Sequence, residues 1–237
     1  MPINKSIGEG YLGTNRIREG IFDMYEQSSL EGIPEFIGTS SNNITNNVTS
    51  IDFAVPSGTQ SGDFAVAMLT GGGGANNVGD WANSQGFTFL YENTIDSRAN
   101  SAIAYKLLDG TEGANFTFTT TNACKLSGEV VVYRGSESII SSSESNSSSS
   151  DVTRVANSVD TPIRNTILFA FFAVSGDNAV FLNPPSDLTL LRTFSDSRKH
   201  NYWIGYKTVT NKGPTGNVSI DVDVPIPGPG RNFSFTI

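Results

Sequence analysis

The chain has a single imidazole, His200, and a single thiol, Cys124, from which nucleophilic or metal chemistry could be built. His200 sits in Ser197-Arg198-Lys199-His200-Asn201, a polar turn before a strand, and reads as a solvated loop residue. A serine triad needs an imidazole base held against its nucleophile, and the nucleophile-elbow pattern G-x-S-x-G is absent. Zinc needs several Cys or His ligands, so no metal site is expected. Cys124 reads as a small, partly buried residue. With no second cysteine, an intrachain disulfide is excluded. The Gly71–Gly74 run is followed by Ala75-Asn76-Asn77 rather than the Gly-Lys-Ser/Thr of a phosphate loop. It reads as a mobile loop after a buried strand, where binding residues often lie.

Carboxylates offer little more. Asp221 and Asp223 alternate with Ile220, Val222 and Val224, so on a strand the two acids share one face, taken as solvent, and the apolar residues share the other. Calcium needs six to eight oxygens. Asp80, Asp96, Asp177 and Asp196 stand in predicted loops, with no EF-hand spacing. No catalytic residue, cofactor or metal ligand is assigned, and no enzymatic activity is expected. Three aromatic residues remain. Trp81 lies beside Asp80 and Asn83, and Tyr202-Trp203 follows the turn containing His200. Rings flanked by Asn and Asp can stack on a sugar and hydrogen-bond to it. Trp81, Tyr202 and Trp203 are therefore candidate host-glycan contacts, with packing in a core as the alternative.

The formal net charge is −8 and the pI about 4.6, with 16% charged residues. Lys and Arg are scattered rather than gathered into the basic patch that phosphate binding needs. No nucleic-acid partner is expected. The N-terminal MPINKSIGEGYLG lacks the apolar core of a signal peptide, so synthesis in the cytoplasm without a leader is the expectation. The apolar run Ile167–Val174 suits one buried strand and falls short of the ~18 residues of a membrane span. The sequons Asn43-Ile44-Thr45 and Asn115-Phe116-Thr117 read as chance in an Asn/Thr-rich chain.

The elements that must position these residues are short strands. Val48–Val55, Asp63–Leu69, Phe87–Tyr91, Ala102–Leu107, Asn115–Thr119 and Glu129–Tyr133 are bounded by Gly, Asn, Ser or Asp, the residues of turns. The pattern then repeats. Asp96-Ser97-Arg98 returns as Asp196-Ser197-Arg198, 100 positions on. Ala104-Tyr105-Lys106 returns as Gly205-Tyr206-Lys207 at 101, Phe87 as Leu188 at 101, and Asn115 as Asn217 at 102. Phe64–Leu69 returns as Ile167–Phe172 at 103, and Glu129–Tyr133 as Asn232–Thr236, also at 103. A fixed period defines the unit. The expected fold is all-β, with two tandem antiparallel β-sandwich modules, Ig-like or jelly-roll-like, at 38–138 and 153–237. The two repeats either stand apart or merge into one larger sandwich. The serine-rich run SSSESNSSSS (Ser141–Ser150) marks a flexible linker over 139–152.

Residues 1–37 form a separate, partly helical arm. Ile17, Ile21 and Met24 fall on one face of a 3.6-residue period over 15–27, and Phe22 and Tyr25 widen it. Gly20 weakens this helix by about 1 kcal/mol. A short one-sided helix rarely stands alone in water, so its face is predicted to anchor either on the rest of the chain or on a larger assembly.

Arg18–Gln27, REGIFDMYEQ, resembles the short Gly-Ile/Val-Trp/Phe-Asp-x-x-Glu-Gln segment of structural proteins of marine tailed bacteriophages, with Phe22 where Trp is frequent. The body resembles a module common in phage genomes. Its marks are a buried strand after Gly62-Asp63, the glycine loop Gly71–Gly74, the strand Gly86–Leu90, Ala104-Tyr105-Lys106, and the closing Val131–Gly135 (VVYRG). The resemblance implies a virion surface protein, either a head decoration or a fibre-like component. It would dock on capsid or tail proteins through the arm and be present as a homo-oligomer or symmetric set. It assigns no catalytic residue.

Overall fold

The computed structural model describes residues 32–73, 78–96, 99–148, 150–196, 200–223 and 228–237. The chain divides into Met1–Gly32 and a compact unit, Ile33–Ile237. Ile17, Ile21, Phe22, Met24 and Tyr25, with the helix expected around them, lie outside the described residues. The last residues assigned to the arm, 35–37, already belong to the first strand.

The compact unit is all-β, with several antiparallel sheets and no helix among the described residues. In chain order the strands are β1 (Glu35–Ala54), β2 (Phe64–Gly72), β3 (Trp81–Asn83), β4 (Thr88–Asp96), β5 (Ala99–Leu107) and β6 (Asn115–Arg134). They continue as β7 (Ser141–Ser147), β8 (Thr153–Ala156), β9 (Asp160–Thr161), β10 (Thr166–Val174), β11 (Val180–Leu182) and β12 (Thr189–Phe194). The last four are β13 (Asn201–Val209), β14 (Gly213–Pro214), β15 (Val218–Asp223) and β16 (Gly230–Thr236). One large sheet runs β1-β6-β2-β5-β4, and the other runs β12-β13-β10-β16-β7. Read from β7, the second order repeats the first strand for strand.

The repeat extends to irregularities. The β4–β5 pairing skips Leu90, and the β12–β13 pairing skips Leu191, 101 positions on. Register also corrects one expected correspondence. Phe64 pairs with Tyr133, while Ile167 and Ile237 exchange two backbone hydrogen bonds of 3.1 Å. Since Phe64 corresponds to Ile167, Tyr133 corresponds to Ile237, at 104 positions rather than 103. A one-residue slip moves every side chain to the other face. The corrected register puts Val131 and Tyr133 opposite Phe235 and Ile237 in one core.

Alternation along β2 and β10 builds three apolar layers. Both strands are buried throughout, which explains their unbroken apolar runs. Phe64, Val66 and Met68 share a central core with Phe169, Phe171, Phe233 and Phe235, so the large sheets pack face to face. Ala65, Ala67 and Leu69 point instead into a core with Phe53, Trp81, Phe116 and Phe118. Leu168, Ala170 and Phe172 point into a third with Trp203, Val218 and Ile220. Each fully buried Phe contributes on the order of 1.5–3 kcal/mol. Ring pairs add orientation in the central layer: Phe169–Phe235 stack at 5.1 Å and Phe171–Phe233 at 5.6 Å.

The serine run is not a flexible linker. Ser141–Ser147 forms β7, paired residue for residue with β16. An edge strand needs a backbone partner on one side only, and lack of apolar area does not prevent that. The polar side chains find partners as well. Asn232 Nδ2 donates to Ser147 Oγ at 2.7 Å, and Ser145 Oγ donates to the Val155 carbonyl. Arg231 holds Glu144 at 2.9 Å.

Candidate functional site

The body resemblance named two motifs at opposite ends of the first half, and the fold joins them. Asp63, just before β2, is buried. Its carboxylate accepts from Arg134 Nε at 2.9 Å and Arg134 Nη2 at 3.1 Å, and Arg134 also reaches the Gly58 carbonyl at 3.1 Å. This two-point clamp ties the end of β6 to the turn before β2, a structural use of the paired motif. The two lysines of the repeated Tyr-Lys motif are likewise held by acids: Lys106 by Glu112 at 3.0 Å, and Lys207 by Asp187 at 2.7 Å.

The candidate glycan platform is not at the surface. Trp81, Tyr202 and Trp203 are 4%, 0% and 3% exposed. Trp81 belongs to the first core, Trp203 packs on Phe172 at 5.8 Å in the third, and Tyr202 lies in the central one. Tyr202 OH reaches the Gly128 carbonyl at 3.3 Å, and burial pushes its phenol well above the usual range. Their spacing on short strands next to polar turns hid that each points inward.

His200 is also corrected. It is fully buried, packs on Phe194 at 5.2 Å, and sets Nε2 3.9 Å from Asp196 Oδ2. Its carbonyl oxygen lies within reach of the Thr70 and Ser127 hydroxyls, 3.3 Å from Thr70 Oγ1 and 3.4 Å from Ser127 Oγ. His200 thus sits at a polar end of the facing sheet, where Thr70 and Ser127 bond each other at 2.8 Å. Gly71 and Gly72 are strand rather than loop. A Cβ on Gly71 would meet Val78 at 3.0 Å and Leu126 at 3.2 Å, and only Gly73 turns to positive φ. Gly74 lies outside the described residues. Cys124 is buried, which pushes its thiol pKa up and away from reactivity.

The junction of the two large sheets carries the polar contacts that the sequence did not reveal. Arg192 of β12 donates from Nε to Glu129 Oε2 of β6 at 3.1 Å and reaches Ser41 Oγ. Burial pushes the Glu129 carboxyl up, opposed by the hydrogen bonds from Thr39 and Arg192. On the other side, Tyr91 OH donates to Ser142 at 3.1 Å, and Asn93 donates to Glu144 at 2.8 Å. Both acids of the repeated Asp-Ser-Arg motif bridge the halves. Asp96 accepts from Ser175, and Asp196 pairs with Lys125 at 3.1 Å. The arginines of the motif, Arg98 and Arg198, lie outside the described residues. Their repetition was visible in the sequence, but which half each acid faces was not.

No family model matches the chain, and no curated protein or solved structure matches it.

Asp221 and Asp223 lie as expected on the outward side of β15, with Val218, Ile220 and Val222 inward. Asp221 accepts from Thr153 at 2.7 Å and Asn183 at 3.0 Å, and these bonds lower its carboxyl pKa. Among the described residues, no three His, Cys, Asp or Glu side chains gather as a metal site would. None of the described residues forms a helix long and apolar enough to cross a membrane.

Proposed function

We propose that this chain is a structural protein of a bacteriophage virion, displayed on the particle surface and docked through its N-terminal arm. Within it, the body is a pair of sandwich modules, duplicated and fused through their large sheets. The observation that carries the reading is the division of the chain at Gly32, with the phage-like string Arg18–Gln27 in the first unit and a body with its own three cores in the second. A display protein needs that partition, because the docking segment can then engage a shell without contributing to the fold it presents. Virion components occupy symmetric positions, so many copies per particle follow from the same reading. A glycan-binding role would need residues other than Trp81, Tyr202 and Trp203.

The test is deletion of residues 2–32 in a phage that encodes the protein, followed by quantitation of the body against the major capsid protein in purified particles. A folded body that no longer joins particles is the expected result. Normal incorporation without the arm would overturn the docking assignment, and absence of the full-length protein from particles would overturn the virion reading.

A further inference from the structure

We infer that the central face of each half of the body is an exchange interface, whose partner is the opposite half of a second copy of this chain, so that two chains can trade residues 141–237 and close a dimer. The inference rests on the duplicated body and is independent of the virion reading. It begins from the symmetry of the contact. Arg192 of β12 crosses the junction to Glu129 and to Ser41. Strand register makes Tyr91, Phe233 and Glu144 the counterparts of Arg192, Glu129 and Ser41. Tyr91 crosses the same junction to Phe233, with ring centroids 5.5 Å apart, and Asn93, on the same strand, donates to Glu144 at 2.8 Å. Where a residue of one half meets a residue of the other, their counterparts meet in the reverse sense. Such reciprocity defines an isologous interface, the kind that closes a two-fold dimer.

Among the described residues, side chains and one connection join the halves. Every strand pairing there stays within β1–β6 or within β7–β16, and so do the backbone–backbone hydrogen bonds of the turns. Across the junction, Phe64, Val66 and Met68 share a core with Phe169, Phe171 and Phe235. The chain passes from one half to the other through residues 135–140, between β6 and β7. A connection of that length reaches about 20 Å when extended. Parting the halves therefore breaks no sheet. Exchange of an identical element between copies remakes each central contact, which is why it is a low-cost route to a dimer.

One buried charge selects the partner. Glu129 is 1% exposed, and the guanidinium that pairs with it comes from the other half. A body seated on this face without a cation at that place would leave the carboxylate buried and unpaired, at a large cost. Residues 141–237 of any copy carry that cation in Arg192, together with the aromatic face that matches Phe64, Val66 and Met68.

The test refolds full-length chains from urea at high protein concentration and reads the products by native mass spectrometry. The native chain should give a dimer whose share rises with concentration and persists after dilution. Two variants, Glu129→Lys and Arg192→Glu, one of them isotope-labelled, are then refolded separately and as a mixture. Alone, each sets like charges across the junction, in its monomer and in its own dimer. In an exchanged heterodimer the new lysine of one chain meets the new glutamate of the other, and Glu129 meets Arg192 at the second junction. The heterodimer should therefore outnumber each homodimer by about tenfold or more. Monomer alone from the native chain or from the mixture, a native dimer that falls apart at once on dilution, or a statistical mixture of heterodimer and homodimers would overturn the inference.

Discussion

Arg192 meets Glu129 across the junction of the large sheets at the position where, in the reciprocal contact, Tyr91 meets Phe233. Arg192 is the counterpart of Tyr91, 101 positions on, and Phe233 is the counterpart of Glu129 at 104. One contact is an ion pair of 3.1 Å, and the other a ring pair with centroids 5.5 Å apart. The same geometry is thus filled by two different chemistries.

That substitution can be tested by exchange. Arg192→Ala leaves the buried Glu129 carboxylate without its cation. The loss should be about 1–3 kcal/mol, below the ~3–5 of a fully buried pair because Arg192 is partly exposed and screened. Grafting the counterpart pair, as Glu129→Phe with Arg192→Tyr, should recover most of it. Urea unfolding of the three proteins measures both effects, and a double variant no more stable than Arg192→Ala would mean that the positions are not interchangeable.

Glu129 also predicts a pH dependence. Burial raises its folded-state pKa above the ordinary 4.5. A carboxyl with a raised folded pKa contributes stability that is present below the unfolded value and lost as pH rises through the folded one. The stability of the native chain relative to Glu129→Gln should therefore fall as pH rises above the carboxylate's ordinary pKa, from about 4.5 upward. A difference that is flat or grows with pH would contradict burial as the dominant cause.

Gly205 is required by its neighbour. A Cβ there would fall within the Trp203 indole. The first repeat has Ala102 and Ala104 at the corresponding positions, so the second has traded two small residues for one large and one absent side chain. Gly205→Ala should cost about 1–3 kcal/mol by overpacking. The cost should shrink in a Trp203→Phe background, because the two sites share one space. Equal costs in both backgrounds would show that the ring is not the obstacle.

The serine strand gives a readout by hydrogen exchange. As an edge strand, β7 should show alternate slow and fast amides from Ser141 to Ser147, since every second amide points away from β16. Uniformly fast exchange would restore the linker.

Much of the fold was legible because strands advertise themselves through alternation, turn residues and, here, repetition at about 100 positions. The apolar runs in β2 and β10 and the inward valines of β15 required no tertiary information. Among the strand segments that the sequence did not reveal, two share a reason. The first part of β1, Glu35–Ile44, and all of β7 are rich in Ser, Thr and Asn, and both are edge strands held by backbone pairing to β6 and β16. Composition reports what a strand buries and says nothing of what its backbone bonds to.

By itself the sequence determined an all-β body, its internal repeat and the outward placement of Asp221 and Asp223, because local periodicity carries each of these. Only the tertiary structure decided that Trp81, Tyr202, Trp203 and His200 are buried, that Asp196 meets Lys125, and that Glu92 of β4 accepts from the Trp81 N–H. Those outcomes depend on which surfaces come together when two sheets of the same order pack face to face. That packing is set by residues far apart in the chain, such as Ser41 and Arg192, 151 positions apart, and no local pattern encodes it.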